Sequence, residues 1–283
     1  MPAHVNASGS RAVVDDAVKI MGVLNVTPDS FSDGGQFTSV DAALRHVDKM
    51  LHEGADIIDI GGYSSRPGAE DIDVETELQR LEPVVRAVRR RFPSATLSID
   101  TFRSHVAAEM LDLGANMIND ISAGSDPRML PLVVSHRASY IAMHMQGTPK
   151  TMQLAPSYVD VVGDIHSFLK ERVALARVAG VGDIWIDPGF GFGKTIDDNY
   201  ALLANLHKFA DIGAPLVVGL SRKSMFWRLF GVGPSDVIPA ASAAHLWSLG
   251  QGAMMLRVHD VAAAKQVVRV AAQINKPTGR PLA

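Results

Sequence analysis

The residues able to do chemistry fall at the ends of short apolar runs. Asp100 closes the run in SIDT, Asn119 the one in MIND and Asp187 the one in IWID. A carboxylate or amide that follows a hydrophobic strand is partly buried, and a buried polar group needs a partner. Three such groups converging on one mouth would cradle a flat heterocycle rich in N–H donors, because a carboxylate accepts two parallel hydrogen bonds from an N–H and an adjacent amino group. Helix capping is the competing use, and Asp120 and Thr101 are placed for it.

Two further run ends carry cations. SRKS supplies Arg222 and Lys223, and RVHD supplies Arg257 and His259. The chain has a net charge of −3, so this basic cluster is local, as an anionic ligand requires. The absence of a global basic excess argues against nucleic acid or a membrane surface as partner. DPGFGFGK, from Asp187 to Lys194, has glycines in alternate places but not the spacing of a nucleotide triphosphate loop. Its Phe190 and Phe192 are candidates to line a pocket for an aromatic ring. NVTPDSFSDGG after the first run is longer than a plain connection. DIGGYSSRPG after the second offers Gly61 and Gly62 for close backbone approach and Arg66 as a planar clamp for an anion. No cysteine is present, and no H-E-x-x-H occurs, so zinc is not expected. A hard cation such as Mg²⁺, held by phosphate oxygens and one or two protein oxygens, is compatible with the residues.

The elements that must position these groups alternate. Apolar runs near 20–24, 57–60, 97–99, 117–118, 140–143, 184–186, 216–220 and 254–258 lack period-two alternation, which suits parallel strands buried on both faces. Between them lie amphipathic segments with helical periodicity: one after Ser39 as N-cap and ending at Gly54, one after Asp73, one ending at Gly114, one from Asp160 to Gly180, and others near 197–208, 224–230, 240–249 and 261–274. This rhythm predicts an α/β fold with a parallel sheet. Polar clusters at every strand end favour a closed (β/α)8 TIM barrel over an open sheet, whose chemistry gathers at one switch point. One barrel domain is expected over 16–275, with a flexible arm at 1–15 and a tail at 276–283. No apolar run has the length of a transmembrane helix, and the first residues do not resemble a signal peptide. A cytoplasmic enzyme is expected.

Taken in order, NVTPDSFSDGG, GGYSSRPG, SIDT, IND, MHMQGTPKTMQ, DPGFGFGK, SRKS and RVHD closely resemble the dihydropteroate synthases, over about residues 20–270. The resemblance implies condensation of 6-hydroxymethyl-7,8-dihydropterin diphosphate with p-aminobenzoate. It implies Asn25 as the ligand of a Mg²⁺–diphosphate, Asp100, Asn119, Asp187 and Lys223 on the pterin, and Met143, Phe192 and Gly219 lining its pocket. Ser65, Arg66 and Pro67 would meet the p-aminobenzoate, and Arg257 and His259 would clamp the diphosphate. Asp100, Asp187, Lys223, Arg257 and His259 are thus the expected catalytic set, in a homodimer with segments near 240–255 as candidate contacts. The sequence departs from the family at Ser65, where threonine is usual, at Tyr63, where glutamate is frequent, and at Phe226 and Trp227, where smaller residues are expected. Bulk at the last two is expected to exclude a sulfonamide more than the natural substrate. A pterin-dependent methyltransferase barrel and a non-catalytic pterin-binding relative are the alternatives. The first leaves the basic cluster with Asn25 unexplained, and against the second stands the presence of every charged position that the reaction requires.

Overall fold

A computed structural model describes residues 18–26, 36–64, 71–152, 154 and 156–275. The expected arm and tail, the first long loop and Ser65, Arg66 and Pro67 lie outside them. Eight parallel strands close into a barrel in sequence order: β1 (Lys19–Asn25), β2 (Ile57–Gly61), β3 (Thr96–Asp100), β4 (Met117–Asp120), β5 (Ser139–Met143), β6 (Ile184–Asp187), β7 (Leu216–Val218) and β8 (Ala253–Val258). Around it run α1 (Gln36–Glu53), α2 (Val74–Arg91), α3 (Ser104–Asp112), α4 (Met129–His136), α5 (Val161–Ala179), α6 (Ile196–Ala204), α7 (Ser224–Phe230), α8 (Ile238–Gly250) and α9 (Val261–Ile274). The expected (β/α)8 barrel is the observed fold.

Most helix boundaries follow local chemistry. Asp73 caps α2 by accepting from the Thr76 amide, and Asp160 caps α5 through the Val162 amide. Gly54, Gly114 and Gly180 turn the chain with φ of 100°, 94° and 97° after their helices, a region a Cβ disfavours. Ser39 is not an N-cap: α1 begins three residues earlier, at Gln36. The short α4 was not anticipated. Its eight residues include Pro131 and two valines, which weaken the helical signal.

Strand residues alternate between two cores. Outward residues such as Ile20, Leu24, Ile58, Ile60, Leu97 and Ile99 pack under the helices. Inward residues Met21, Ile57, Met117, Ile141, Val217 and Met255, with Trp185 against them, fill the barrel as an apolar floor. A parallel barrel is thus packed at its centre, not hollow. At Gly22 the wall is so close to α1 that an added Cβ would lie 2.6 Å from Met50 Sδ.

Candidate active site

Strand side chains alternate faces, so two residues beyond each floor residue the chain again points inward. Ile57 is followed by Asp59, Met117 by Asn119, Ile141 by Met143, Trp185 by Asp187, Val217 by Gly219 and Met255 by Arg257. The register places Gly61 beside Asp100, Asp100 beside Asn119, and Met143 beside Asp187. The sequence-predicted residues of these strands are therefore one layer of one barrel, immediately above the apolar floor.

Arg257 is the hub of that layer. Its Nε donates to Asp59 Oδ2 at 2.7 Å and its Nη2 to Asp100 Oδ2 at 2.6 Å. Burial alone would lower its pKa, but the two carboxylates outweigh that and hold it above the ordinary value. Burial pushes Asp100 up to about 7 against the pull of Arg257, with Asp59 adding to the rise. Asp59 is fully buried and also accepts from Asn119 Nδ2 at 3.2 Å. Asp59 Oδ1 and Asn119 Oδ1 are buried without a hydrogen-bond partner.

Across the mouth, Asp187 is raised by burial while its Oδ1 accepts from the Gly189 amide at 2.7 Å. Gly219 keeps the wall open: a Cβ there would stand 3.8 Å from Asp187 Oδ2 and 3.9 Å from Arg257 Cβ. Lys223 Nζ sits 4.5 Å above the Phe192 ring. Burial, then Arg257, push its pKa down to about 8. Burial and the neighbouring Arg257 and Arg222 hold His259 down to about 3, so its imidazole is neutral at pH 7. Phe192 and Met143 join Ile121 and Met152, with Phe102 and Met145 against them, in an apolar patch on the mouth side. A cationic and carboxylate rim beside an apolar wall suits a flat polar ring.

The loops after β5 and β6 are wound together. Gly189 (φ 71°) passes so close to strand β5 that a Cβ would fall 1.9 Å from the His144 carbonyl oxygen. At Gly193 it would fall 2.6 Å from the Gln146 carbonyl. Lys194, nearly fully buried, donates to the Phe192 carbonyl and pairs with His144 Nδ1, both at 3.0 Å. Burial lowers Lys194 to about 7, and burial together with Lys194 lowers His144 to about 3. The alternate glycines of DPGFGFGK therefore serve close loop packing.

Several expectations are corrected. Phe190 lies in the core between barrel and helices. Arg222 does not join the mouth cations, because it is bonded to Asp260 at 2.8 and 3.2 Å. Gly62 makes its close approach to α2, where a Cβ would meet Leu81 Cγ at 2.9 Å, whereas Gly61 faces the mouth. Phe226 is buried in the shell core and Trp227 packs against it, so their bulk is taken up by packing, and the expected exclusion of sulfonamides loses its basis there. Asp120 holds its own loop and strand, accepting from the Ser122 amide and hydroxyl, the Gly124 amide and Tyr140. Tyr63 hydrogen-bonds Asp71, which also pairs with Lys150. Sequence reasoning placed Asp59 at a polar strand end but gave it no role. Its signal was the two-residue step from Ile57, the same step that marks Asn119 and Asp187.

An eight-stranded barrel whose mouth joins acceptors, cations and an apolar wall defines an enzyme that takes a polar heterocycle with an anionic group. Comparison with known proteins makes the class specific. Residues 21–259 match the family model described as pterin binding enzyme. The dihydropteroate synthase of Escherichia coli K12 is 46% identical over 253 residues, 89% of each chain. The Yersinia pestis dihydropteroate synthase in a sulfonamide drug complex superposes with a TM-score of 0.85 at 41% identity, covering 92% of this chain and 94% of that one. The Xanthomonas albilineans enzyme in complex with 7,8-dihydropteroate gives 0.83 at 41%, over 93% and 95%. The chain belongs to the pterin-binding enzyme family and, within it, to the dihydropteroate synthases, which are transferases.

Proposed function

We propose that the chain joins 6-hydroxymethyl-7,8-dihydropterin diphosphate to p-aminobenzoate, giving 7,8-dihydropteroate and diphosphate, a step of folate biosynthesis. The observation that carries the reading is a buried, unpartnered acceptor, Asn119 Oδ1, in the layer that also holds Asp187. Such atoms are costly in a dry site unless a ligand brings donors, and the amino-pyrimidinone edge of a pterin brings several.

In the reaction the bond between the pterin methylene and diphosphate oxygen breaks, and the electron pair leaves with the oxygen. The aniline nitrogen forms the new C–N bond and releases a proton to the departing diphosphate. Asn119 and Asp187 hold the ring edge, and Lys223 meets a ring acceptor above Phe192, with Met143 and Gly219 shaping the same pocket. Asp100 and Asp187 stabilise positive charge that develops on the pterin. Arg257 and His259 hold the anion, in a site where preorganised charges act strongly. Ser65, Arg66 and Pro67 are assigned to the p-aminobenzoate on the family resemblance alone.

Mg²⁺ fits this residue set as a companion of the diphosphate. Among the described residues no group of three or more His, Asp or Glu is arranged to hold a metal alone, and Mg²⁺ is commonly held by few protein oxygens plus phosphates. Asn25 is the residue to hold it. Its Oδ1 and Asp100 Oδ2 flank Gly61, where an added Cβ would lie 3.7 Å from each and occupy the gap. Bound there, the ion would neutralise charge on the leaving group.

The protein is assigned to the cytoplasm as a homodimer, without nucleic-acid or membrane partners. Among the described residues no helix is long and apolar enough to cross a membrane. Exposed Leu229, Phe230 and Trp247 on α7 and α8 support a contact face there. Met255 is excluded from it, being part of the barrel floor.

The test is turnover of the two substrates with Mg²⁺, following diphosphate and dihydropteroate, beside an Arg257→Ala/Lys223→Ala double variant. Product from the wild type, lost in the folded variant, is expected. A folded wild type that makes no dihydropteroate would overturn the reading.

A further inference from the structure

Asp59 touches no residue of the rim by chance of sequence: it is the fully buried member of the mouth layer, and two strands away on either side its neighbours depend on it. Its Oδ2 accepts from Arg257 Nε of β8 at 2.7 Å and from Asn119 Nδ2 of β4 at 3.2 Å. An amide side chain is nearly symmetric in shape, so only its partners decide which end is oxygen. The Asp59 oxygen that faces the amide already accepts from the Arg257 guanidinium, so it serves as an acceptor toward Asn119 as well. It therefore fixes the nitrogen of Asn119 on the Asp59 side. The other end, Oδ1, is buried with no partner. The same carboxylate holds one edge of the Arg257 guanidinium while Asp100 holds another, so the guanidinium plane is set from two sides before any ligand arrives.

We propose that Asp59 is a positioning and specificity-determining residue: by orienting the Asn119 amide it presents an acceptor to the heterocycle and so selects a 2-amino ring over a 2-oxo ring. This rests on the function proposed above. An amino group donates where an oxo group accepts, and an acceptor turned toward an oxo group leaves two buried lone pairs opposed. A site built to hydrogen-bond one polar group can reject an analogue lacking it by roughly 10⁴-fold. Asp187, the other acceptor of the layer, has its own tie to the Gly189 amide and does not need Asp59.

The experiment measures binding of 6-carboxypterin and its 2-oxo counterpart 6-carboxylumazine by titration calorimetry, alongside dihydropteroate formation. Asp59→Asn preserves shape but can turn either end toward Asn119. Its preference for the 2-amino ligand is expected to fall at least about tenfold below the wild type, the effect of one buried hydrogen bond. The KM for p-aminobenzoate at saturating pterin should stay within about twofold, since that substrate makes no contact through Asn119. A purely structural role would weaken both ligands alike and leave their ratio intact. The exchanged variant Asp59→Asn/Asn119→Asp keeps one carboxylate and one amide in contact and restores an acceptor at position 119, so it should recover the 2-amino preference to within about threefold of wild type. It also decides the matter should Asp59→Asn fail to fold. An unchanged ligand ratio in Asp59→Asn, or no recovery in the exchanged variant, overturns the role of Asp59 while leaving a working synthase. A wild type that forms no dihydropteroate overturns the proposed function, and this assignment with it.

Discussion

The floor and the mouth of the barrel stand two residues apart on the same strands, yet they are built on opposite terms. The floor joins Met21, Ile57, Met117, Ile141, Val217 and Met255 into an apolar plug. The layer above joins Asp59, Asp100, Asn119 and Arg257 through hydrogen bonds, ties Asp187 to the Gly189 amide, and leaves acceptors without partners. The floor gains free energy from burial. The mouth holds ionised and polar groups away from water, which is costly and is tolerated where a ligand or a charge partner compensates. Stability and function are therefore separated along each strand by about one pleat repeat.

The contrast predicts unequal outcomes. Arg257→Ala would leave Asp59 and Asp100 without their shared cation. Removing one partner of a buried ion pair costs about 3–5 kcal/mol, so both the urea midpoint and turnover should fall sharply, turnover by more than about 100-fold. A variant as stable as the wild type would show that the carboxylates need no cation. Met255→Ala, one step below on β8, should cost about 2–5 kcal/mol through the cavity it leaves, while KM for both substrates moves less than about twofold. A large rise in the pterin KM would erase the division between the layers.

Lys194 offers a finer probe. Its folded pKa is about 7, well below that of an unfolded lysine, so unfolding takes up a proton between about pH 7 and pH 10. Stability must then rise with pH across that window, by up to about 1.4 kcal/mol per unit from this group. Lys223, lowered to about 8, adds a rise of its own above that pH. Urea unfolding of Lys194→Met from pH 6.5 to 9.5 should therefore show a shallower rise than the wild type, and an unaltered slope would remove Lys194 as a source. Trp185→Phe should have the smallest effect. Its Nε1 is buried without a partner, so losing the N–H offsets the lost ring volume and stability should change by no more than about 1 kcal/mol. A larger loss would reveal a partner for that nitrogen.

Much of the architecture is legible in the sequence because β-branched and aliphatic runs, glycine stops and caps such as Asp73 and Asp160 act locally. The strand-end clusters are legible for the same reason, since each polar residue follows an apolar run. Partnership is not local. Nothing near Arg222 marks it for Asp260, and nothing near Asp59 marks it for an arginine 198 residues away. Phe190 and Phe192 look alike in sequence, yet one faces the shell and the other the mouth. The start of α1 was misplaced because the residues before Ser39 carry no apolar periodicity.

The two-residue step has a consequence for how this gene can change. Gaining or losing one codon between Ile57 and Asp59 would shift every later side chain of β2 to the opposite face. Asp59 would then point under the helices, and an isoleucine would stand in the mouth beside Arg257. In-frame length changes inside the barrel strands should therefore be lethal to the enzyme, so heritable variation in its pocket must come by substitution, with insertions confined to the loops.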